Sequence, residues 1–115
     1  MFDFEKLIAY QKAKNYHHYI YTFLKDSPKV DSITRNQLRR AAFSVMLNIA
    51  EGAGRYSNAD KRNFYRIARG SVFECVAILD FLISESIVST TFYTEMYATS
   101  EELSKILMGL INSKS

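Results

Sequence analysis

Apolar residues recur three or four positions apart in four segments of the chain, and only short polar breaks separate these segments. This spacing places the apolar side chains on one face of an α-helix. The segments run over about residues 4–25, 35–51, 57–86 and 90–112. The chain has four glycines and one proline, which are too few for the many turns of an all-β fold. The pattern therefore predicts an all-α fold.

The breaks between the segments span about 2–9 residues, which is short enough to force consecutive helices to run antiparallel. We predict a single domain over residues 1–115, folded as an antiparallel up-and-down four-helix bundle. The third helix, at about 28 residues, is longer than the others. Its first turns are therefore expected to project beyond the bundle.

Polar residues that can accept hydrogen bonds from free backbone N–H groups precede the helical segments. Asp3 is the predicted N-cap of the first helix, and Ser57 that of the third. Thr34 and Gln37 have the spacing of a capping box at the start of the second helix. Ser89 or Thr90 is expected to cap the fourth.

Two glycines are predicted to have different structural roles. Gly52 follows the last apolar residue of the second helix, where glycine commonly ends a helix. Gly70 falls inside the third helix, where glycine costs about 1 kcal/mol relative to alanine. We therefore expect another segment to pack tightly against Gly70.

The sequence has features of a cytoplasmic protein. No window of about 18 residues is free of charged and polar groups, so no segment is predicted to span a membrane. The first residues lack the basic and then apolar arrangement of a signal peptide. The single cysteine, Cys75, excludes an internal disulfide and is typical of a reducing cytosol.

Few residues have the spacing that enzyme chemistry requires, and we predict no enzyme activity, metal or cofactor. His17 and His18 are adjacent and point about 100° apart on a helix, so they cannot bind one ion together. Cys75 lies on an apolar face, where a buried thiol is inert. Asn48 and Glu51 are expected to make hydrogen bonds or ion pairs between helices. The alternative is that they line an active site with a nearby arginine.

The net charge of +3 is unevenly distributed along the chain. Residues 1–34 carry +1, residues 35–69 carry +6 and residues 70–115 carry −4. Arginine forks match phosphate geometry, and the nearby Tyr56 and Tyr65 could stack on bases. The candidate nucleic-acid-binding residues are Arg35, Arg39, Arg55, Lys61, Arg62, Arg66 and Arg69.

Three interpretations of this basic segment remain open. It could bind RNA or DNA phosphates without reading the bases. Its arginines could instead make subunit or partner contacts, for example with the acidic third and fourth helices of another copy. A solvated surface without a partner is the third interpretation.

The middle of the chain resembles a known family signature. The resemblance rests on Gln37-Leu38-Arg39-Arg40-Ala41-Ala42, Ser44-Val45, Asn48-Ile49-Ala50-Glu51-Gly52, Gly54-Arg55, Phe64, Ile67-Ala68-Arg69-Gly70-Ser71, Glu74, and the opening Phe4-Glu5-Lys6-Leu7 and Tyr10-Gln11-Lys12-Ala13. These residues are similar to those of the four-helix bundle proteins first described as products of intervening sequences within large-subunit ribosomal RNA genes. That family is often labelled S23 ribosomal protein. Met46 stands where the family often has proline.

The resemblance implies a small cytosolic bacterial protein that assembles into a ring, a homopentamer, with no established enzyme activity. The accessory protein of diversity-generating retroelements looks similar, and it is a basic pentamer that associates with reverse transcriptase and nucleic acid. The resemblance thus implies RNA, DNA or a protein such as a reverse transcriptase as partners. It also implies that the family-motif residues Arg40, Asn48, Glu51, Gly52 and Gly70 are structural.

Overall fold

The structure, a computed structural model, describes residues 1–114 and contains four long α-helices. A short 3-10 turn, Asp3–Lys6, precedes the first of them. The helices are α1 (Ile8–Lys25), α2 (Ser32–Ala53), α3 (Asn58–Ser84) and α4 (Thr90–Ser113). No strand occurs in this part of the chain, which confirms the predicted all-α fold.

Side-chain caps explain where three of the helices begin. Ser57 accepts a hydrogen bond from the Asp60 N–H, and Ser89 accepts one from the Phe92 N–H, as the sequence predicted for α3 and α4. The prediction for α2 was wrong, because Asp31 is its N-cap and accepts from the Thr34 N–H at 2.7 Å. This bond lowers the pKa of the Asp31 carboxyl.

The predicted cap of α1 was also wrong. Asp3 begins the 3-10 turn, which ends at Lys6, and Leu7 then stands at the N-cap position of α1 without a side-chain hydrogen bond. The first segment therefore contains two helical pieces joined by an extended residue.

Consecutive helices pack against each other, and α1 also contacts α4, so the four helices occupy the corners of a square. The α2–α3 edge is consequently opposite the α1–α4 edge. Apolar residues from all four helices fill the core. The largest fully buried side chains are Tyr16, Ile20, Leu38, Val45, Ile49, Tyr65, Val72, Cys75, Leu79, Leu82, Leu103 and Leu107.

One buried polar pair joins α1 to α4 inside this core. The Tyr16 hydroxyl lies 2.7 Å from Ser100 Oγ, and Ser100 also donates to the Met96 carbonyl at 2.6 Å. Both hydroxyls are thus satisfied, which removes the cost of burying them.

Neither glycine has the role that the sequence predicted for it. Gly52 is buried within α2, which continues to Ala53, and a Cβ there would lie 2.8 Å from Tyr65 Cε1. At Gly70 a Cβ would meet nothing within 4 Å, and the residue is exposed. Close helix packing therefore requires glycine at 52, and nothing within the described chain requires it at 70.

Candidate functional surfaces

The seven candidate cations do not form one patch. Arg35 and Arg39 lie in the first turns of α2, whereas Arg55 and Lys61 flank its C-terminal end. At 1.5 Å per residue, the 18 residues from Arg35 to Ala53 span about 27 Å. Because α3 runs antiparallel to α2, its first turns, which carry Arg62 and Arg66, lie near the C-terminal end of α2.

Arg35 contacts the end of α1. Its guanidinium donates to the Leu24 carbonyl, to the Ser27 carbonyl at 2.7 Å and to the Val30 carbonyl at 3.4 Å. These carbonyls belong to the last turn of α1 and to the loop after it, so Arg35 connects the end of α1 to the start of α2. This residue stabilises the α1–α2 connection.

Lys61 and Arg62 fix the start of α3 against its neighbours. Lys61 Nζ donates to the Ala53 carbonyl at 2.9 Å, and Arg62 donates to the Lys114 carbonyl. The first turns of α3 are therefore packed against the ends of α2 and α4. The prediction that they project beyond the bundle was wrong, because α4 is nearly as long as α3.

Arg55 and Arg69 also make contacts within the chain. Arg55 forms an ion pair with Glu51 at 2.7 Å, and its guanidinium lies 4.6 Å from the Phe64 ring centroid. Arg69 donates to the Ser104 carbonyl at 3.4 Å and lies 4.8 Å from the ring centroid of a neighbouring aromatic residue. Both cations stay at the surface with part of their donor capacity used.

Arg39 and Arg66 make no hydrogen bond or ion pair within residues 1–114. Arg39 stacks on the Tyr21 ring, and Arg66 is exposed. The two tyrosines expected to stack on bases differ, since Tyr56 is fully exposed but Tyr65 is 2% exposed and belongs to the core. The prediction for Tyr65 was therefore wrong.

Several family-motif residues meet in a groove on the outer side of α2 and α3. The groove, of about 390 Å³, is called here the α2–α3 groove. Its lining includes Gln37, Arg40, Ser44, Leu47 and Asn48 from α2, and Ser71 and Glu74 from α3.

A short polar chain crosses the floor of the α2–α3 groove. Asn48 Nδ2 donates to the Ser44 carbonyl and hydroxyl, both at 2.9 Å, within its own helix. Ser71 then donates to Ser44 Oγ at 2.9 Å and makes the link between α2 and α3. Asn48 was expected to bond across the helices directly, and it does so only through Ser44.

Arg40 and Glu74 lie in the same groove without an ion pair in the part of the chain that the structure describes. Gly70 precedes Ser71 on the exposed side of α3. Half-exposed apolar side chains flank this region, with Leu47 at 46% and Ile67 at 44% exposure. Arg40, Gly70 and Glu74 are therefore motif residues on this surface that make no side-chain hydrogen bond or ion pair within residues 1–114.

Asn48 and Glu51 also border a second cleft, of about 810 Å³, between α2 and the residues before α1. Apolar residues and backbone provide most of the other walls, with Asp3 as the second carboxylate. Glu51 is exposed and paired with Arg55. The lining contains no histidine, cysteine, serine, threonine, tyrosine or lysine to act as a nucleophile or a proton carrier.

Cys75 is enclosed by the core, and burial raises the pKa of its thiol to about 12. At about pH 8 we expect a disulfide reagent to modify Cys75 only as fast as the protein unfolds, because the thiolate is the reactive form. In concentrated guanidinium chloride the same thiol should react at the rate of a free cysteine. Fast, stoichiometric modification of the folded protein would contradict the buried placement.

The raised pKa of the Cys75 thiol also predicts how the stability of the fold depends on pH. An unfolded thiol ionises near pH 8.5, whereas the folded one resists ionisation up to a pKa of about 12. The free energy of unfolding should therefore be independent of this group below about pH 8.5 and decrease as the pH rises beyond it. Burial raises the pKa of Tyr16 as well, so the loss should steepen above about pH 10.

The histidines differ in environment. The His17 ring lies 5.0 Å from the Phe43 ring and 6.1 Å from the Tyr21 ring, and burial, followed by the nearby Arg39, lowers its pKa. His18 is exposed. Residues 1–114 contain no group of three or more histidine, cysteine or acidic side chains that could hold a metal ion. None of the described helices is long and apolar enough to cross a lipid bilayer.

A further cluster, around Tyr21, was missed by the sequence analysis. Lys25 Nζ lies 5.6 Å and the Arg39 guanidinium 5.3 Å from the centroid of the Tyr21 ring. The available signal was the composition of α1, since Ile8–Lys25 contains three lysines and no acidic residue. The net charge of residues 1–34 did not reveal the cluster, because the acidic residues of that stretch all lie outside α1.

These features define an antiparallel four-helix bundle in which the apolar residues of the sequence motif lie in the core and several of its polar residues line an exposed groove. Residues 5–109 match the family described as 23S rRNA-intervening sequence protein, and the chain belongs to that family. This confirms the resemblance found in the sequence. The similarity to the retroelement accessory protein stays a prediction.

One solved structure with the same fold is described as a protein with unknown function from the S23 ribosomal protein family of Bacteroides thetaiotaomicron VPI-5482. It superposes with a TM-score of 0.86 at 24% sequence identity, covering 90% of this chain and 98% of that chain. At this identity the likeness shows the fold alone. No curated protein matches the chain in sequence.

Proposed function

We propose that this chain is a non-enzymatic scaffold whose copies assemble through the α2–α3 groove. The observation that carries the proposal is Gly70, a glycine inside a long helix with open space in front of its backbone. Glycine destabilises a helix interior by about 1 kcal/mol relative to alanine, and no contact within the described chain offsets that cost. A helix of another molecule that packs closely against α3 would do so.

The surroundings of Gly70 support a protein partner. Ile67, Gly70, Glu74 and Phe81 follow one another on the outer flank of α3 at intervals of three, four and seven residues. This is the spacing at which one helix presents a seam to another. The flank is separate from the seam that packs in the core, so it remains available for a second helix.

Charge and geometry favour another copy of this chain as the partner. The opposite edge of the bundle has a groove of about 780 Å³ between α1 and α4, lined by Tyr19, Phe23 and Phe92 among others. Its lining has two carboxylates, Asp26 and Glu95, and no lysine or arginine. Arg40 in the α2–α3 groove could pair with such a carboxylate. Association between unlike faces closes into a ring when the rotation between copies is right, as the predicted homopentamer requires.

Introducing a carboxylate at Gly70 tests the assembly. Gly70→Glu should convert the oligomer to monomer in sedimentation velocity, because the partner helix can no longer approach and a buried charge would lack a partner. Gly109→Glu is the matched control, since Gly109 is also an exposed glycine within a helix, with nothing within 4 Å of its Cβ position, on α4. It should leave the oligomer intact. A Gly70→Glu protein that sediments like the wild type would refute the groove as the interface.

Binding of RNA or DNA is the second candidate function. The observation that favours it is that Arg39 and Arg66 keep all their N–H donors free within residues 1–114. Arg62 and Arg69 are poorer candidates, since both donate to the backbone of α4 or the residue after it. Reversing the charge of those two would disturb the fold as well as any ligand contact. Arg66→Glu alone is the cleaner test of the α3 arginines.

A further inference from the structure

The outer side of α1 and α2 carries a cluster of cations and aromatic rings, called here the α1–α2 face. Its members are Lys14, His17, Tyr21 and Lys25 on α1, and Arg39 and Phe43 on α2. The two helices meet through the rings, because His17 contacts both Tyr21 and Phe43. Lys14 is seven residues before Tyr21, which places it two helical turns away on the same side of α1.

The electrostatic character of the α1–α2 face is uniformly positive. Residues 8–50 contain seven lysines and arginines and only two acidic residues, Asp26 and Asp31. Asp31 caps α2, and Asp26 borders the α1–α4 groove on another side of the bundle. Lys14, Lys25 and Arg39 form no ion pair within residues 1–114. Their charges therefore remain available to an anion in solution.

The way in which these cations are held leaves their donors free. Lys25 and Arg39 both lie over the Tyr21 ring, and a cation–π contact orients a cation without consuming an N–H group. By contrast, the Arg35 guanidinium donates its hydrogen bonds to backbone carbonyls. The α1–α2 face thus combines fixed positive charge with unused hydrogen-bond donors, which is what phosphate oxygens require.

We propose that the α1–α2 face binds single-stranded nucleic acid. The phosphates contact Lys14, Lys25 and Arg39, and a base stacks on the exposed side of Phe43, which is 45% accessible. The distance from Lys14 to Lys25 along α1 is about 16 Å, a track long enough for several contacts to one strand. These contacts are to phosphates and to the face of a base, not to base edges. The α1–α2 face should therefore bind a strand without selecting its sequence.

This inference rests on the second candidate function and assigns it to a different surface from the α3 arginines. Nucleic acid fits the α1–α2 face better than an acidic protein segment does, because the rings alternate with the cations and offer a flat stacking surface to a base. A lipid surface fits less well, since the rings lie partly packed between the helices and no contiguous apolar stripe projects from the face.

The test is fluorescence anisotropy with labelled oligouridylate and oligodeoxyuridylate, which differ only in the 2′-hydroxyl, over a salt series with nuclease-treated protein. Three phosphate contacts on a single strand correspond to a slope of about −2 in log affinity against log salt. The variant Lys14→Glu/Lys25→Glu/Arg39→Glu should lose at least about tenfold in affinity at low salt and most of that slope. Similar losses for both oligomers would indicate recognition of the shared phosphate backbone, and a loss for one alone would identify the 2′-hydroxyl or its absence as a further determinant.

The matched control is Lys6→Glu/Lys105→Glu/Lys114→Glu, which changes the net charge equally at residues away from the α1–α2 face. It should retain most of the affinity. If the control variant loses binding and the α1–α2 variant retains it, nucleic-acid binding stands but the α1–α2 face is the wrong surface. If the wild type binds neither oligomer at low salt, both the face and the candidate function are refuted.

Two further measurements separate stacking from charge and nucleic acid from lipid. Phe43→Ala should weaken binding about fivefold or more with an unchanged salt slope, because base stacking contributes about 1–3 kcal/mol without counterion release. Sedimentation with vesicles containing anionic lipid should leave the protein in the supernatant. Vesicle binding that the α1–α2 variant abolishes, together with no oligonucleotide binding, would overturn the proposal in favour of a membrane ligand.

Discussion

Replacing Arg35 with methionine should lower the free energy of unfolding by about 2–4 kcal/mol. Methionine keeps most of the aliphatic stem but removes the guanidinium, which donates to the Leu24 carbonyl at the end of α1 and to two carbonyls in the loop that follows. A hydrogen bond to a charged group contributes about 1.5–3 kcal/mol, and the three bonds share one cation and do not add fully. Thermal unfolding monitored by circular dichroism should show a decrease in Tm of about 10 °C.

Arg66→Met is the control for that substitution, because Arg66 is exposed and has no partner within residues 1–114. Its effect should stay within about 0.5 kcal/mol. Arg35→Lys should recover only part of the loss, since one ammonium cannot reach three carbonyls with the geometry of a guanidinium. Equal stability of Arg35→Met and the wild type would show that these hydrogen bonds do not hold the α1–α2 connection.

Gly52→Ala should destabilise the fold by about 1–3 kcal/mol even though alanine is the better helix former. The new Cβ would lie 2.8 Å from Tyr65 Cε1 and 3.0 Å from Phe64 Cβ, and the buried Tyr65 ring has little room to move. α2 and α3 would have to separate at this end of the pair. Urea unfolding at one protein concentration measures the change.

Gly70→Ala provides the opposite result in the same pair of helices. In the monomeric chain, at a protein concentration too low for assembly, its Cβ would enter open space, so the free energy of unfolding should rise by about 0.5–1 kcal/mol. A gain at Gly70 together with a loss at Gly52 would establish which glycine the bundle itself requires. A loss at both positions in the monomeric chain would contradict the open space in front of Gly70.

The sequence predicted the four helices because residues close together in the chain determine where each helix forms and begins. Apolar spacing sets the buried face of each helix, and Ser57 and Ser89 act on N–H groups three residues away. The start of α2 was predicted one turn too late because Asp31 and Thr34 are both good caps, and local preference alone does not choose between them.

The structural roles of the glycines were not predictable in the same way. Gly52 and Gly70 both lie within helices, and only the position of the neighbouring helix decides which of them is crowded. A sequence pattern identifies a glycine that costs stability but not the contact that offsets the cost.

The sequence predicted which segment is positively charged, but not which groups its side chains contact. A count of arginines located the positive segment correctly, yet it could not show that Arg35, Lys61 and Arg62 direct their donors at backbone carbonyls. It also missed the α1–α2 face, whose cations Lys25 and Arg39 come from two helices that meet only on folding. The residues of a surface shared by two helices are far apart in the sequence, so no single segment indicates the surface.

The two proposed surfaces are compatible in one assembly. Copies that associate through the α2–α3 and α1–α4 edges would leave Lys14, Lys25 and Arg39 uncovered, whereas Phe43 also lines the α2–α3 groove and would lie at the border of the subunit contact. The three cations would repeat around a ring, so weak contacts to one long strand would combine through avidity. Binding to long single strands should then be lost together with the oligomer, whereas binding to a very short strand should persist in a monomeric variant.

The mass of the wild-type protein in solution is the most direct test of this account. Sedimentation velocity over a range of protein concentrations, free of nucleic acid, should give a single species at a multiple of 13.3 kDa, and five copies if the predicted ring forms. A species that stays at 13.3 kDa at the highest concentration would contradict assembly through the α2–α3 groove. Gly70 would then be left without a partner, and the scaffold function would have to be abandoned.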